Sequence, residues 1–565
     1  NLEDLSYQTP EKLYTINHLD ISTFAEPGNM QKLVALRSDF ISGDINGNFQ
    51  YADLGPAFKT LINRYLPVIN LPHGDAVTTP ANRENKFNFS FNVNDISGII
   101  QFLTGDRFSS EKLVVNGEFM PHRKKMKLWA SASKILYNHY PIMDFYMQGY
   151  NNDDRLYTEV GCREIRISDT LEVFAPYIEA ITINNKITTL TTWKTDPARF
   201  EPDGEVRNTF DVSLFPKIST RFNKGKVLIR DSLWAIKPGS NITYFNKALE
   251  VTGFEFNSGN QQISANGKVS TSSNDQLDIN LENLDISMID FITNPAKVDF
   301  DGLIRGSINL KRVFSSSPIV NSKLEMEKFA INKEMIGNAT INSFWDEVKE
   351  GINIDASFFY QGNAGTMEVI NIAEGYIYPG KDKKENFALD ISLNNFRIHT
   401  INKFIESLTS EFLGLADGKL KLRGSFEKPE LTGELRVVAK NILVDYLNTR
   451  YRFAHTITFD KDAIRFKDLQ LTDMGRSTKE KYSAVVNGAI YHESFKNFRL
   501  DISIDAKNFT FLNTNGLQDP YFYGKAIASG FVSISGPVED LLIKVKAKTD
   551  KNTVLSIPLN IASEV

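Results

Sequence analysis

The chain has 565 residues, 41% of them hydrophobic and 24% charged, and its 64 basic and 69 acidic residues leave a net charge of −5. So even a balance gives no electrostatic footprint for nucleic acid, and no stretch approaches the roughly 18 consecutive apolar residues of a membrane-spanning helix. The single cysteine, Cys162, excludes an intramolecular disulfide and fits a reducing compartment, or an oxidising one in which thiols are rare.

In chain order, SDFISGDINGNFQYADLGPAFKTLINRYLP reads as two short strands and a helix, with Pro56 near the helix start and Pro67 after its end. Within it GDINGN, from Gly43, has a faint calcium-loop look, but no glutamate stands at the twelfth position, and the expectation is a plain hairpin turn. From Lys86, KFNFSFNV alternates strictly. Phe87, Phe89, Phe91 and Val93 share one face and Asn88, Ser90 and Asn92 the other, which predicts a strand with one apolar side. The helix-like GIIQFLTGD follows. Arg123, Lys124, Lys125 and Lys127 form the densest basic cluster, expected as a solvated hairpin flank.

Beyond residue 220 the chain repeats. LDINLENLDISMIDFITN begins at Leu277, LDISLNNFRIHTINKFIES at Leu389 and LDISIDAKNFTFLNTNG at Leu500, steps of 112 and 111 residues. A second landmark keeps the step: Gly306 begins GSINLKR, Gly418 begins GKLKLRG and Gly530 begins GFVSISG. A third precedes each copy, in NGKVS at Asn266, EGYIY at Glu374 and NGAIY at Asn487. Three landmarks in one order at nearly one period identify a repeat array. Gly, Asn and Asp punctuate the strands at hairpin spacing. Ile401, Phe404, Ile405, Leu408 and Phe412 fall at helical spacing, and Ser287 with Asp290 gives a capping box before MIDFI, so one short helix per unit is expected.

The predicted fold is mostly β, a long, twisted and curved antiparallel sheet built from repeats with a few short helices. With roughly a dozen residues per strand and turn it holds on the order of 40 strands, and at about 4.8 Å per strand one sheet of them extends about 190 Å. An apolar face can pack on a second sheet as a sandwich or line an open groove, and the repeat favours the groove. The expected divisions are 1–80, 81–220, 221–340, 341–455 and 456–565, five units of one continuous array.

LADGKLKLRGSFEKPELTGELRV, residues 415–437, and YGKAIASGFVSISGPVEDLLIKVKAKT, residues 523–549, resemble the conserved C-terminal region of the TamB family, translocation and assembly module subunits within the AsmA-like, bridge-like lipid transfer superfamily. The likeness is greatest to the versions of Bacteroidota, covers residues 220–565 well and is weaker before them. It implies a β-taco, an open apolar groove, in the periplasm of a diderm bacterium. It implies an inner-membrane anchor and contact with an Omp85-type, TamA-like barrel, both through regions outside this segment. The segment begins at Asn1 without a methionine and closes on the strand-like LSIPLNIASEV, which gives the expectation that it belongs to a longer protein.

The groove is implied to carry phospholipid to the outer membrane, with a scaffold for outer-membrane protein assembly as the alternative. The residues expected to line it are Phe87, Phe89, Phe91 and Val93; Leu277, Ile279 and Leu281; Leu389, Ile391 and Leu393; Leu420, Leu422, Leu435 and Val437; Leu500, Ile502 and Ile504; and Val532, Ile534, Ile543 and Val545. An unbroken apolar row without embedded charge suits a guest that must slide.

Chemistry is not expected. His18, His73, His122, His139, His399, His455 and His492 are scattered, with no metal-ligand spacing among themselves or to Cys162. G-x-S-x-G, P-loop and G-x-G-x-x-G motifs are missing. The chain reads as a non-enzyme without cofactor, metal or nucleic-acid partner.

Overall fold

The computed structural model describes residues 2–8, 13–25, 31–49, 59–69, 86–94, 97, 107–120, 123–138, 140–152, 154–167, 172–289, 299–315, 317–361, 367–379, 384–404, 409–474, 483–516 and 523–557. Its strands, numbered β1 to β35 in chain order, divide between two compact units, residues 1–270 with β1–β19 and residues 271–565 with β20–β35. In both, nearly every strand pairs antiparallel with its neighbour in sequence. This is the mostly β, antiparallel architecture that the alternation predicts. Many strands are longer than a dozen residues, β32 (Lys496–Thr514) spanning 19, and the described residues hold 35 of them against an expectation nearer 40 for the chain.

In the first unit β4 (Ile41–Asn48) pairs with β5 (Lys86–Val93), which pairs with β7 (Leu113–Met120). The meander continues through β8 (Lys125–Tyr137), β9 (Tyr140–Asn152) and β10 (Arg155–Gly161) to β12 (Glu172–Ile183). GDINGN is neither calcium loop nor turn. It lies inside β4, where Asp44 forms a 2.8 Å ion pair with Arg37. Residues 59–65 form the expected helix and Pro67 opens a 3-10 turn, Pro67–Ile69. Pro56 and the run GIIQFLTGD lie outside the described residues.

In the second unit the repeat resolves into a period of six strands. The LDI landmarks occupy β20 (Gln276–Asp285), β26 (Phe387–Arg397) and β32. The Gly306, Gly418 and Gly530 landmarks occupy β21 (Phe300–Lys311), β27 (Phe412–Gly424) and β33 (Tyr523–Pro537). Those at Glu374 and Asn487 lie on β25 (Met367–Ile377) and β31 (Ser483–Glu493), and the one at Asn266 on β19 (Gln261–Val269), the last strand of the first unit.

Each LDI strand bulges at one asparagine. Asn283, Asn395 and Asn508 have φ of 48°, 54° and 49°, and at each the ladder to the next strand slips, between Leu281 and Leu284, Leu393 and Phe396, and Ala506 and Phe509. Asparagine tolerates this left-handed conformation better than most residues. The extra residue returns Leu284, Phe396 and Phe509 to the apolar face and bends the strand. Landmark dipeptides serve the second and third of these bulges; before Gly306 stands Arg305, whose guanidinium pairs with Glu325 instead. The Asn395 N–H donates to Asp417 Oδ1 at 2.7 Å and the Asn508 N–H to Ser529 Oγ at 2.8 Å, and in β30 (Ala463–Asp473) the Asp468 N–H donates to Asn487 Oδ1 at 2.7 Å. The next residues are Gly418, Gly530 and Gly488.

The landmark glycines therefore stand mid-strand, opposite the bulges, and not at hairpin tips. A Cβ on Gly418 would lie 2.2 Å from the Glu434 carbonyl oxygen, and one on Gly488 2.1 Å from that of Asp501, so neighbouring backbones approach where no other side chain fits. Of the glycines flanking KLKLR, only Gly424 closes a turn.

The expected helices shrink. Residues Ile286–Ile289 and Ile398–Phe404 form 3-10 segments, and Phe412 opens β27. Ile405, Leu408 and the Asp290 end of the capping box lie outside the described residues.

Candidate functional site

The site is the apolar sheet face of each unit. Because antiparallel partners point to one side, register decides what meets on it. In the second unit Leu277 and Ile279 of β20 face Leu310 and Ile308 of β21, and Leu281 faces Gly306. Leu389, Ile391 and Leu393 of β26 face Leu422, Leu420 and Gly418 of β27. On β28 (Pro429–Val444), Leu431 faces Leu422 and Leu435 faces Gly418, while Leu435 and Val437 face Ile457 and His455 of β29 (Thr449–Asp460). Ile502 and Ile504 face Ile534 and Val532 of β33, and Leu500 faces Gly536.

The packing is that of one curled layer. One core cluster joins Ile398, Ala416, Leu420, Leu435, Val437 and Ala439, with Ile391, Leu393, Phe453 and Ile457 against it, all from successive strands β26–β29 and the 3-10 segment. A second draws on β20 and β21, on β22 (Ile319–Ile331), β23 (Glu334–Asp346) and β24 (Gly351–Gln361), and on Ile286. Tyr451 of β29 stacks on Phe509 of β32 with centroids 4.9 Å apart, and its hydroxyl donates to the Thr510 carbonyl at 2.8 Å. Three strands span about 14 Å in a flat sheet, so the sheet curls tightly there. Leu277, Leu420, Leu435, Val437, Leu500 and Val532 are buried, while Ile279, Leu281, Leu389, Ile391, Leu393, Leu422, Ile502, Ile504 and Ile534 are half-buried.

Two sets of expected lining residues stand apart. Ile543 and Val545, on β34 (Leu542–Thr549), continue the apolar row opposite Ile534 and Val532 but are 48% and 65% exposed. Among the described residues β34 pairs only with β33, so nothing further shelters its row. In the first unit Phe87, Phe89, Phe91 and Val93 share a face as expected, opposite Phe119, Gly117, Val115 and Leu113. Phe87, however, lies in a closed core with Phe49, Phe119, Leu61 and Tyr65, where residues 59–65 cover it; Phe89 and Phe91 are half-buried.

The row is also less uniform than the sequence suggests. Ser322 and Ser343 meet on it at 2.9 Å, Asn371 is buried on it opposite Leu393, and His455 stands between Phe453 and Ile457. Alternation across RYRFAHTITF could have placed Tyr451, Phe453, Ile457 and Phe459 on the face, but its Ala and Thr positions weaken the hydrophobic signal.

The described residues hold no group of three or more His, Cys, Asp or Glu able to bind a metal. Cys162 is buried, and its burial pushes the thiol up to about 11, so it is protonated and unreactive at neutral pH. His492 is buried, stacked on Phe495 at 4.5 Å, and held below its ordinary value by that burial, Asp462 opposing the shift in part.

A family model, the TamB C-terminal domain, matches residues 361–458 and 472–564, from the end of β24 to beyond β35 (Val554–Ser556). These residues carry a TamB C-terminal domain. No curated protein and no solved structure gives a significant match. The match supports the context of the TamB family, that of outer-membrane assembly and lipid transport, whose members are envelope-associated components of the periplasm. Among the described residues no helix is long and apolar enough to cross a membrane.

Proposed function

We propose that this protein carries phospholipids between the inner and outer membranes, their acyl chains lying along the apolar face. The observation that supports this reading is the run of half-buried side chains, Ile391, Leu393, Leu422, Ile502 and Ile504, on a sheet whose clusters form within one curled layer. Half-buried aliphatic groups in register along many strands lose water only when a guest covers them. Moving two 16-carbon chains through water costs about 25 kcal/mol at about 0.8 kcal/mol per CH₂, and an aliphatic face offsets most of that. The headgroup stays in water at the open edge. In this reading a membrane anchor and an Omp85-type barrel of the TamA kind complete the path through regions outside this chain.

Photocrosslinking tests the proposal. A benzoylphenylalanine at Ile391, Leu422 or Ile504 should capture phospholipid in cells, and one at Asp390 or Lys421, on the opposite face, should not. Equal capture from both faces, or none from either, would reject it. One observation favours a second role in assembling outer-membrane proteins. Among the described residues β34 has an unpaired edge with exposed Ile543 and Val545, to which a client strand could pair. That role requires client strands to crosslink to β34 and groove charges to be tolerated.

A further inference from the structure

On the polar side of the first unit, opposite the apolar row, most strands carry the expected side chains, as Asn88, Ser90 and Asn92 do on β5. β8, β9, β10 and β12 depart from this. Tyr150 and Tyr157 are cross-strand partners and stack, centroids 5.1 Å apart. Trp129, two residues along β8, is 47% exposed, and Tyr146 and Tyr150 are each 43% exposed. Tyr146 lies across Gly161, where a Cβ would come within 2.5 Å of its hydroxyl, and so reaches towards Tyr177 of β12, the next partner of Gly161. The apolar face of this unit uses phenylalanine; here every ring is tyrosine or tryptophan.

Between these rings stand two carboxylates. Glu159 of β10 and Glu179 of β12 are direct cross-strand partners and half-buried, an arrangement that destabilises a sheet. Gln148 Nε2 donates to Glu159 Oε2 at 2.5 Å. The Tyr177 hydroxyl also bonds Glu159; desolvation and the two carboxylates push it up to about 12, so it remains a donor. Neither glutamate has an ion-pair partner among the described residues. Of the cations on this side, Lys127 stands beside Tyr150, Arg155 two residues before Tyr157, and Arg207 in line with Glu179 beyond Leu190, where it pairs with Glu205.

We propose that this face docks a segment of a partner protein bearing arginine or lysine side chains. Charge complementarity carries the assignment. One cation set over Glu159 and Glu179 relieves their repulsion, and flanking rings attract the same cation through their π faces. Exposed Trp and Tyr around a charged centre are also the residue types that dominate binding energy at protein interfaces. The proposal is independent of whether the other face carries lipid.

Calorimetric titration of the 565-residue protein with acetyl-tetra-arginine-amide tests it, with tetraglutamate and chitotetraose as comparisons. Saturable binding of the arginine peptide is expected, weakening as salt rises, and about tenfold weaker in Glu159→Gln/Glu179→Gln and in Tyr150→Ala. The double Gln variant removes the like-charge opposition, so its unfolding midpoint should not fall, which separates lost binding from lost fold. Absence of saturable arginine binding, or binding unchanged in both variants, would overturn the proposal. So would saturable chitotetraose binding that Tyr150→Ala abolishes, which would make the face a glycan platform.

Discussion

A charge placed in the apolar row provides the most direct test of the transport reading, and Ile391→Arg is the best site for it. Ile391 lies between Ala373 of β25 and Leu420 of β27 and packs at the margin of the cluster around Ala416 and Leu435. It is half-buried, so an arginine stem can lie over the same neighbours while its guanidinium reaches water, and the sheet should still form. A passing acyl chain must then share its path with a fixed cation. Placing arginine in hydrocarbon costs about 2.5–3.5 kcal/mol on insertion scales, a factor of roughly 70 to 400 in rate if this step limits passage. Ile391→Met should be nearly silent. Asp390→Asn removes only the exposed 2.7 Å ion pair with Arg423, worth about 1 kcal/mol at most, and should leave transport unchanged. The assay is pulse-labelled phospholipid reaching the outer membrane in cells that depend on this protein, with abundance and protease resistance as the fold control. An abundant, protease-resistant Ile391→Arg protein delivering lipid within twofold of the parent would refute the reasoning.

Gly488→Ala forces a Cβ to within 2.1 Å of the Asp501 oxygen at a φ of 151°, whereas Gly253→Ala, at a φ of 60°, meets nothing within 4 Å. Chemical denaturation should show a loss of about 2–6 kcal/mol for the first and about 1–2 for the second; equal losses would mean that close strand approach does not matter. The unfolded chain takes up a proton at His492 from about pH 6.5 downwards while the folded site resists it, so stability from this group is complete above that pH and is lost as pH falls towards the depressed folded value. His492→Phe should flatten the unfolding midpoint of the second unit between about pH 6.5 and 5, and an unchanged slope would remove His492 as its source. Cys162, protonated and buried, should react with iodoacetamide at pH 7.5 only after denaturant unfolds the first unit, and rapid labelling of native protein would contradict its placement.

Strand alternation was legible because period two survives any tertiary arrangement: Phe87 to Val93 and Leu389 to Leu393 share faces as their spacing requires. The repeat was legible too, but its physical meaning was not. Asn-Gly and Asp-Gly are common turn dipeptides, so Gly418 and Gly488 looked like punctuation. Only pairing partners reveal that the residue before each glycine holds a bulge on the adjoining strand. Burial was the least legible. Nothing in KFNFSFNV distinguishes Phe87, closed under residues 59–65, from half-buried Phe91, because the covering residues lie more than twenty positions earlier.

The six-strand period bears on how a guest could move. At about 4.8 Å per strand, six strands advance about 29 Å, and over that distance the same bulge and glycine contact return. A sliding chain would meet shallow, recurring wells and no single deep one, the condition under which affinity does not become arrest. The polar residues on the row fit that condition where they satisfy one another. Ser322 and Ser343 pair at 2.9 Å and offer a guest little. His455 has no such partner among the described residues and stands between Phe453 and Ile457 at half burial. A passing chain must strip water from its ring nitrogens there. His455→Leu should therefore speed the arrival of pulse-labelled phospholipid in the outer membrane, and an unchanged rate would show that this side chain does not obstruct the path.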